Sequence, residues 1–83
     1  MADRNIIITQ DTDVRLKIVG DHYEDDIYGP RLFNIRRGTR AILESVSMII
    51  IIPANQGVGT LTFNIFDKDI YVRESSILNY VEY

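Results

Sequence analysis

The sequence predicts an all-β fold: a small barrel or sandwich of five to six short strands, with at most one short helical turn near the C-terminus. Three observations predict it. Fourteen Ile and six Val make almost a quarter of the chain β-branched, and branched side chains pack well on a pleated surface. Short apolar runs are separated by Gly, Pro, Asn and Asp clusters about every 8–12 residues, the spacing of small all-β domains. No stretch holds a long uninterrupted helical pattern. A chain of 83 residues and 9.6 kDa has room for one hydrophobic interior, so residues 1–83 are expected to form a single β-barrel domain.

Ile6-Ile7-Ile8-Thr9-Gln10 is a β-branched run that Asp11-Thr12-Asp13 ends, since Asp and Thr side chains bond nearby backbone and favour turns. Val14, Leu16 and Ile18 alternate with Arg15 and Lys17, the period of a strand with one wet face. Gly20–Pro30 holds four acids between turn residues and reads as an exposed loop. Leu32 to Ile35 is the next strand, followed by a turn at Arg36-Arg37-Gly38.

Two readings compete over residues 36–46. Ile35, Thr39, Ile42, Leu43 and Val46 fall on helical spacing. Gly38 inside that pattern costs a helix about 1 kcal/mol relative to Ala. The favoured alternative is one long strand from Thr39 through Ile52, with Ile42, Val46, Met48, Ile50 and Ile52 on one face and Glu44 as its single violation. Met48 to Ile52, a loop at Pro53-Ala54-Asn55-Gln56-Gly57 and Val58 to Phe66 then form a hairpin. Asp67-Lys68-Asp69 turns the chain into a strand at Ile70–Arg73. The C-terminus offers either a helical turn at Ile77–Tyr80, capped by Ser75 or Ser76, or a strand at Tyr80–Glu82.

The run from Gly38 to Val46, a hairpin, Gly59-Thr-Leu-Thr-Phe63, a turn, Ile70-Tyr-Val72 and Ser75 to Glu82 resembles SH3-like barrels over about 45 residues. That resemblance implies architecture and transfers no activity. The terminal Glu74-Ser-Ser-Ile-Leu-Asn-Tyr-Val-Glu82 also resembles the end of ten-kilodalton co-chaperonins. No counterpart of their long loop follows the first strands, and that identity is not adopted.

The formal net charge is −3, which opposes general adhesion to nucleic acid or anionic membrane. The charges are segregated along the chain. Residues 1–30 carry −4 and residues 31–48 carry +3, the latter through Arg31, Arg36, Arg37 and Arg40 against Glu44. No apolar run approaches the ~20 residues of a membrane helix, and the N-terminus lacks a secretory pattern.

The absence of Cys removes thiolate chemistry. His22 is the only histidine and so the only imidazole base for a Ser-His-acid arrangement; its neighbours Asp21, Glu24, Asp25 and Asp26 favour a solvated loop residue. Neither that cluster nor Asp11-Thr-Asp13 or Asp67-Lys-Asp69 continues into a calcium-loop spacing. Gly57-Val-Gly59 lacks the third glycine and helix start of a phosphate-binding loop. No enzyme activity, metal or cofactor is expected.

One excess remains. A single interior accepts one parity of each strand, yet Ile6-Ile7-Ile8 and Ile49-Ile50-Ile51-Ile52 place Ile on both faces. With the even residues inside, Ile7, Ile49 and Ile51 lack a place in the core, and burying each is worth about 1.5–3 kcal/mol. The expectation is a non-enzymatic structural or protein–protein interaction module that self-associates, as a homo-oligomer, or packs onto a larger assembly. A viral capsid-accessory, connector or host-enzyme-inhibitor protein has this profile, located in the cytoplasm or, if viral, in the virion. Candidate interface residues are Ile7, Ile49 and Ile51, the amphipathic rings Tyr23 and Tyr28, and the cations Arg36, Arg37 and Arg40, whose charge would complement the acidic Gly20–Pro30 segment of a neighbouring copy; Tyr71, Tyr80 and Tyr83 add further rings of the type enriched at interfaces. The second reading is a nucleic-acid-binding β-barrel in which Arg31, Arg36, Arg37 and Arg40 contact phosphates and Phe33 stacks on a base.

Overall fold

The computed structural model describes residues 3–44, 48–55 and 68–83. They form eight strands: β1 Arg4–Ile8, β2 Thr12–Val19, β3 His22–Asp25, β4 Arg31–Ile35, β5 Arg40–Glu44, β6 Ile49–Ile52, β7 Asp69–Arg73 and β8 Tyr80–Glu82. All lie in one curled half-barrel sheet, in the order β4-β2-β3-β7-β6-β5-β1-β8. The chain is all-β, with more strands than the five to six expected. Neighbours run antiparallel except β3 and β7, which pair in parallel with His22 opposite Asp69.

Alternation decides what the curl encloses. Ile6 and Ile8, Val14 and Leu16, Tyr23, Phe33 and Ile35, Ala41 and Leu43, Ile50 and Ile52, and Ile70 and Val72 form one buried cluster with Ile77. Each of the first seven strands thus contributes one parity to a common interior, which is what a period of two requires.

Three expectations are corrected. The Gly20–Pro30 segment is not a continuous loop: β2 and β3 form a hairpin over Gly20-Asp21, with Val19 opposite His22. Gly20 has φ 60°, and a glycine with positive φ at the first central position is the tight hairpin reversal whose twist suits the flanking strands. The acids mask the strand in the sequence, because Asp and Glu are poor strand formers; pairing on both sides, with β2 and β7, overrides that preference.

The long strand from Thr39 through Ile52 is instead two antiparallel strands, β5 and β6, with Leu43 opposite Ile50. Met48, ahead of β6, has φ 56° and donates its N–H to the Glu44 carbonyl at 2.8 Å. Consequently Ala41 and Leu43 face inward while Ile42 and Glu44 face outward, and Glu44 violates nothing. The segment Arg40–Glu44 is strand, which removes the helical alternative there; Val46 lies outside the described residues.

The expected partner strand Val58–Phe66 also lies outside the described residues, and β6 has β5 and β7 on its two sides. Finally, the helical turn sits at Glu74–Ser76 rather than Ile77–Tyr80, has no side-chain cap, and is followed by the strand at Tyr80–Glu82. Asp25 anchors that turn: its Oδ2 accepts from the Ser76 hydroxyl at 2.6 Å and from the Arg73 N–H at 3.2 Å.

Candidate interaction surface

The outer face is built from the residues that alternate with the core. Register places Val81, Ile7 and Arg40 in one row across β8, β1 and β5. The adjacent row runs Asn5, Ile42, Ile51, Tyr71 and Glu24, and Ile49 stands between Glu44 and Arg73. Ile7, Ile49 and Ile51 therefore share one face, in neighbouring rows. Each is half-buried, unlike Ile6, Ile50 and Ile52 at 0% exposure.

The other sequence candidates separate. Tyr23 is corrected to a core residue: inward-facing on β3 and 4% exposed, its ring has no surface to offer another chain. Tyr28 is 87% exposed beside Ile27, in the turn between β3 and β4. Arg36 and Arg37 are exposed in the β4–β5 turn, where the Arg37 N–H donates to Asp11 Oδ1 at 2.7 Å. Arg40 leans across β1, its guanidinium carbon 5.9 Å from the centre of the Tyr83 ring, a range at which a cation is attracted to an aromatic face.

β8 is the last strand on its side of the sheet among the described residues. Leu78 before it, Val81 within it and Tyr83 just after it are 77%, 52% and 62% exposed. Sequence reasoning reached Tyr83 only as one of several amphipathic rings and missed Leu78 and Val81, which are scattered singly in a short polar segment. Their exposure follows from edge position, which no local pattern encodes.

Compared with protein-family models, curated proteins and solved structures, the chain matches none.

Charge placement changes the electrostatic expectation. The acids of the Gly20–Pro30 segment are engaged within the chain: Glu24 and Asp21 with His22, Asp26 with Lys17 at 3.4 Å, and Asp25 with Arg73 and Ser76. Arg4 pairs with Glu82 at 2.9 Å. The guanidinium groups of Arg36, Arg37 and Arg40 have no carboxylate partner among the described residues. Phe33 is corrected to a core residue, 1% exposed, and cannot stack on a base. Arg31, opposite Leu16 in β2, begins β4, at the end of the strand away from Arg36 and Arg37.

Other chemistry is sparse. An open groove of about 350 Å³ is lined by Asp13, Arg15, Asp25, Asp26, Arg73 and Ser76 among others. Its serine donates to Asp25, whereas His22 bonds Asp21 and Glu24, so the serine and the imidazole are not arranged as a nucleophile and its base. Among the described residues no group of three or more His, Asp or Glu could hold a metal ion, and no helix is long and apolar enough to cross a membrane.

His22 has a readable proton linkage. Nε2 lies 2.7 Å from Glu24 Oε2, Nδ1 lies 3.2 Å from Asp21 Oδ1, and the ring sits 4.6 Å from that of Tyr71. Hydrogen bonds to Glu24 and then Asp21 raise its pKa above the ordinary 6.5, and the bond to His22 holds Asp21 below its ordinary 3.8. A raised folded pKa means that His22 stabilises the fold fully below pH 6.5 and loses that contribution as pH rises through the folded value. Asp21 behaves oppositely: its contribution is present above 3.8 and lost as pH falls through its lowered value. Urea unfolding of His22→Gln should therefore lack part of the stability decline expected of the native chain as pH rises above 6.5. Superimposable pH profiles for the two proteins would exclude this role.

Proposed function

We propose that the chain is a non-enzymatic protein–protein interaction module that self-associates or packs onto a larger assembly. The observation that carries this reading is the β8 edge: Val81 and Tyr83 are more than half exposed on the last strand of the described sheet, and Val81 stands opposite the half-buried Ile7, so apolar surface reaches that edge. Exposed strand edges are templates for pairing with another chain. The half-buried Ile49 and Ile51 extend the same face inward. A capsid-accessory, connector or enzyme-inhibitor role fits such a module, as does the finer SH3-like arrangement, supported by the antiparallel β5-β6-β7 ladder followed by a single 3₁₀ turn and a last strand.

Native mass spectrometry and light scattering from micromolar to millimolar protein test the self-associating form. The expected result is a growing population of multimers that Val81→Asp weakens, because a carboxylate would enter the apolar surface. A strict monomer over that range would defeat self-association. An assembly equally strong in Val81→Asp would move the contact off the β8 edge.

The second reading, nucleic-acid binding, keeps one specific support in Arg40 beside the exposed Tyr83 ring, with Arg36 and Arg37 exposed in the turn before β5. With Phe33 inside the core, Tyr83 would be the stacking ring in this reading.

A further inference from the structure

We infer that the β8 edge takes an extended, acidic segment of a partner protein, added as a further strand and held by Arg40, Arg36 and Arg37. This rests on the interaction-module reading above and names its partner's chemistry. The first support is the direction of the edge amides. Tyr83 donates its N–H to the Asn5 carbonyl at 3.1 Å, and the Asn79 carbonyl accepts from the Thr9 N–H at 2.9 Å. Residues opposite one another alternate between bonded and non-bonded pairs along an antiparallel ladder, so Asn79, Val81 and Tyr83 turn their backbone groups toward β1. Tyr80 and Glu82 turn theirs away from it, toward the side where no strand lies among the described residues. That side presents N–H and C=O groups at the spacing an incoming strand needs.

The second support is charge. The side chains of Arg4, Lys17 and Arg73 each have a carboxylate partner within the chain, whereas the guanidinium groups of Arg40, Arg36 and Arg37 have none among the described residues, Arg37 meeting Asp11 only through its backbone N–H. Arg40 already reaches over β1 to Tyr83 at the edge. The β4–β5 turn flanks the start of β8, because Gly38 donates to the carbonyl of Ile8, the residue opposite Tyr80. An incoming strand would continue the row Arg40-Ile7-Val81 with a residue of its own beside Val81. A β-branched side chain suits that position, and acids two residues away on the same face would lie under the arginines.

A second copy is the weaker occupant. Its own acidic segment is spent on His22, Lys17, Arg73 and Ser76, leaving Asp21 as the one carboxylate of that segment fully in solvent. Single-stranded nucleic acid would engage the arginines without needing the edge amides, which separates it experimentally.

The test is fluorescence anisotropy with the intact chain and three labelled probes: an alternating Glu-Val octapeptide, an alternating Lys-Val octapeptide and single-stranded oligo-dT. The Glu-Val peptide is expected to bind, to weaken as salt is raised, and to bind about tenfold or more weakly to Arg36→Glu/Arg37→Glu, where attraction becomes repulsion. Glu82→Pro, which deletes an outward N–H, should also lose binding, while Glu82→Ala, which removes only the ion pair with Arg4, should retain it. Should the proline variant fold poorly by circular dichroism, amide hydrogen exchange supplies the same information: the Tyr80 and Glu82 amides should gain protection with the peptide. Binding without that protection, or equal binding of the Lys-Val peptide, overturns the strand-addition inference. Oligo-dT binding with no Glu-Val binding also overturns it and promotes the nucleic-acid reading. Concentration-dependent self-association with no peptide binding overturns the acidic-segment inference alone and leaves the interaction module standing.

Discussion

Ile50→Ala should destabilise the fold by about 2–5 kcal/mol, the cost of removing buried methyl groups and leaving a void that the surroundings only partly fill. Ile50 is 0% exposed in β6, between Leu43 of β5 and Val72 of β7, both themselves buried. Because small domains have only about 5–15 kcal/mol of stability in total, this one change is expected to bring the protein to the margin of folding. Its neighbour is the internal control. Ile49→Ala removes the same atoms from the outward, half-buried side of the same strand, and should cost clearly less in the isolated chain. Chemical denaturation of the two variants decides the matter, and equal losses would mean that the assignment of inner and outer faces on β6 is wrong.

Gly29→Ala is the second large effect, for the opposite reason. Gly29 is buried in the turn between β3 and β4, and a Cβ there would stand 2.5 Å from the Leu16 carbonyl oxygen, 2.7 Å from its carbon and 2.9 Å from the Asp26 oxygen. These are backbone atoms of a paired strand and of the turn, so they cannot move aside as a side-chain end would. The Gly29 N–H also donates to Asp26 O at 2.7 Å and its carbonyl accepts from Arg15 at 3.3 Å. Overpacking of this kind costs about 1–3 kcal/mol or more. By contrast, Gly38→Ala meets nothing within 4 Å and is strained only by its φ of 91°, so Gly29→Ala should lower the melting temperature further than Gly38→Ala. The reverse order would show that turn backbone conformation, rather than the close approach to β2, governs this region.

Legibility in the sequence followed a physical division. Where a strand buries one parity and wets the other, as Val14, Arg15, Leu16 and Lys17 do, the pattern alone located it. It failed where pairing overrode composition, as in the acidic β3, and where two strands of like composition were fused because the reversal between Glu44 and Ile49 carries no Gly or Pro. The outward set Ile7, Ile49 and Ile51 was readable as excess over one core. The edge residues Leu78 and Val81 were not, and Tyr83 was readable only as an amphipathic ring, because sheet order is a property of the whole topology.

The parallel contact of β3 with β7 and the contact of β1 with β8 join residues far apart along the chain. Hairpins such as β2–β3 close over a two-residue turn and can form in about 1–10 μs. The distant pairings must first overcome the entropy of closing long loops, which places chains of this topology among the slow, millisecond-to-second folders. During that interval the inner faces of β1 and β6, both rich in isoleucine, would stand open to other nascent chains. Crowded synthesis would then favour aggregation before the native sheet is complete.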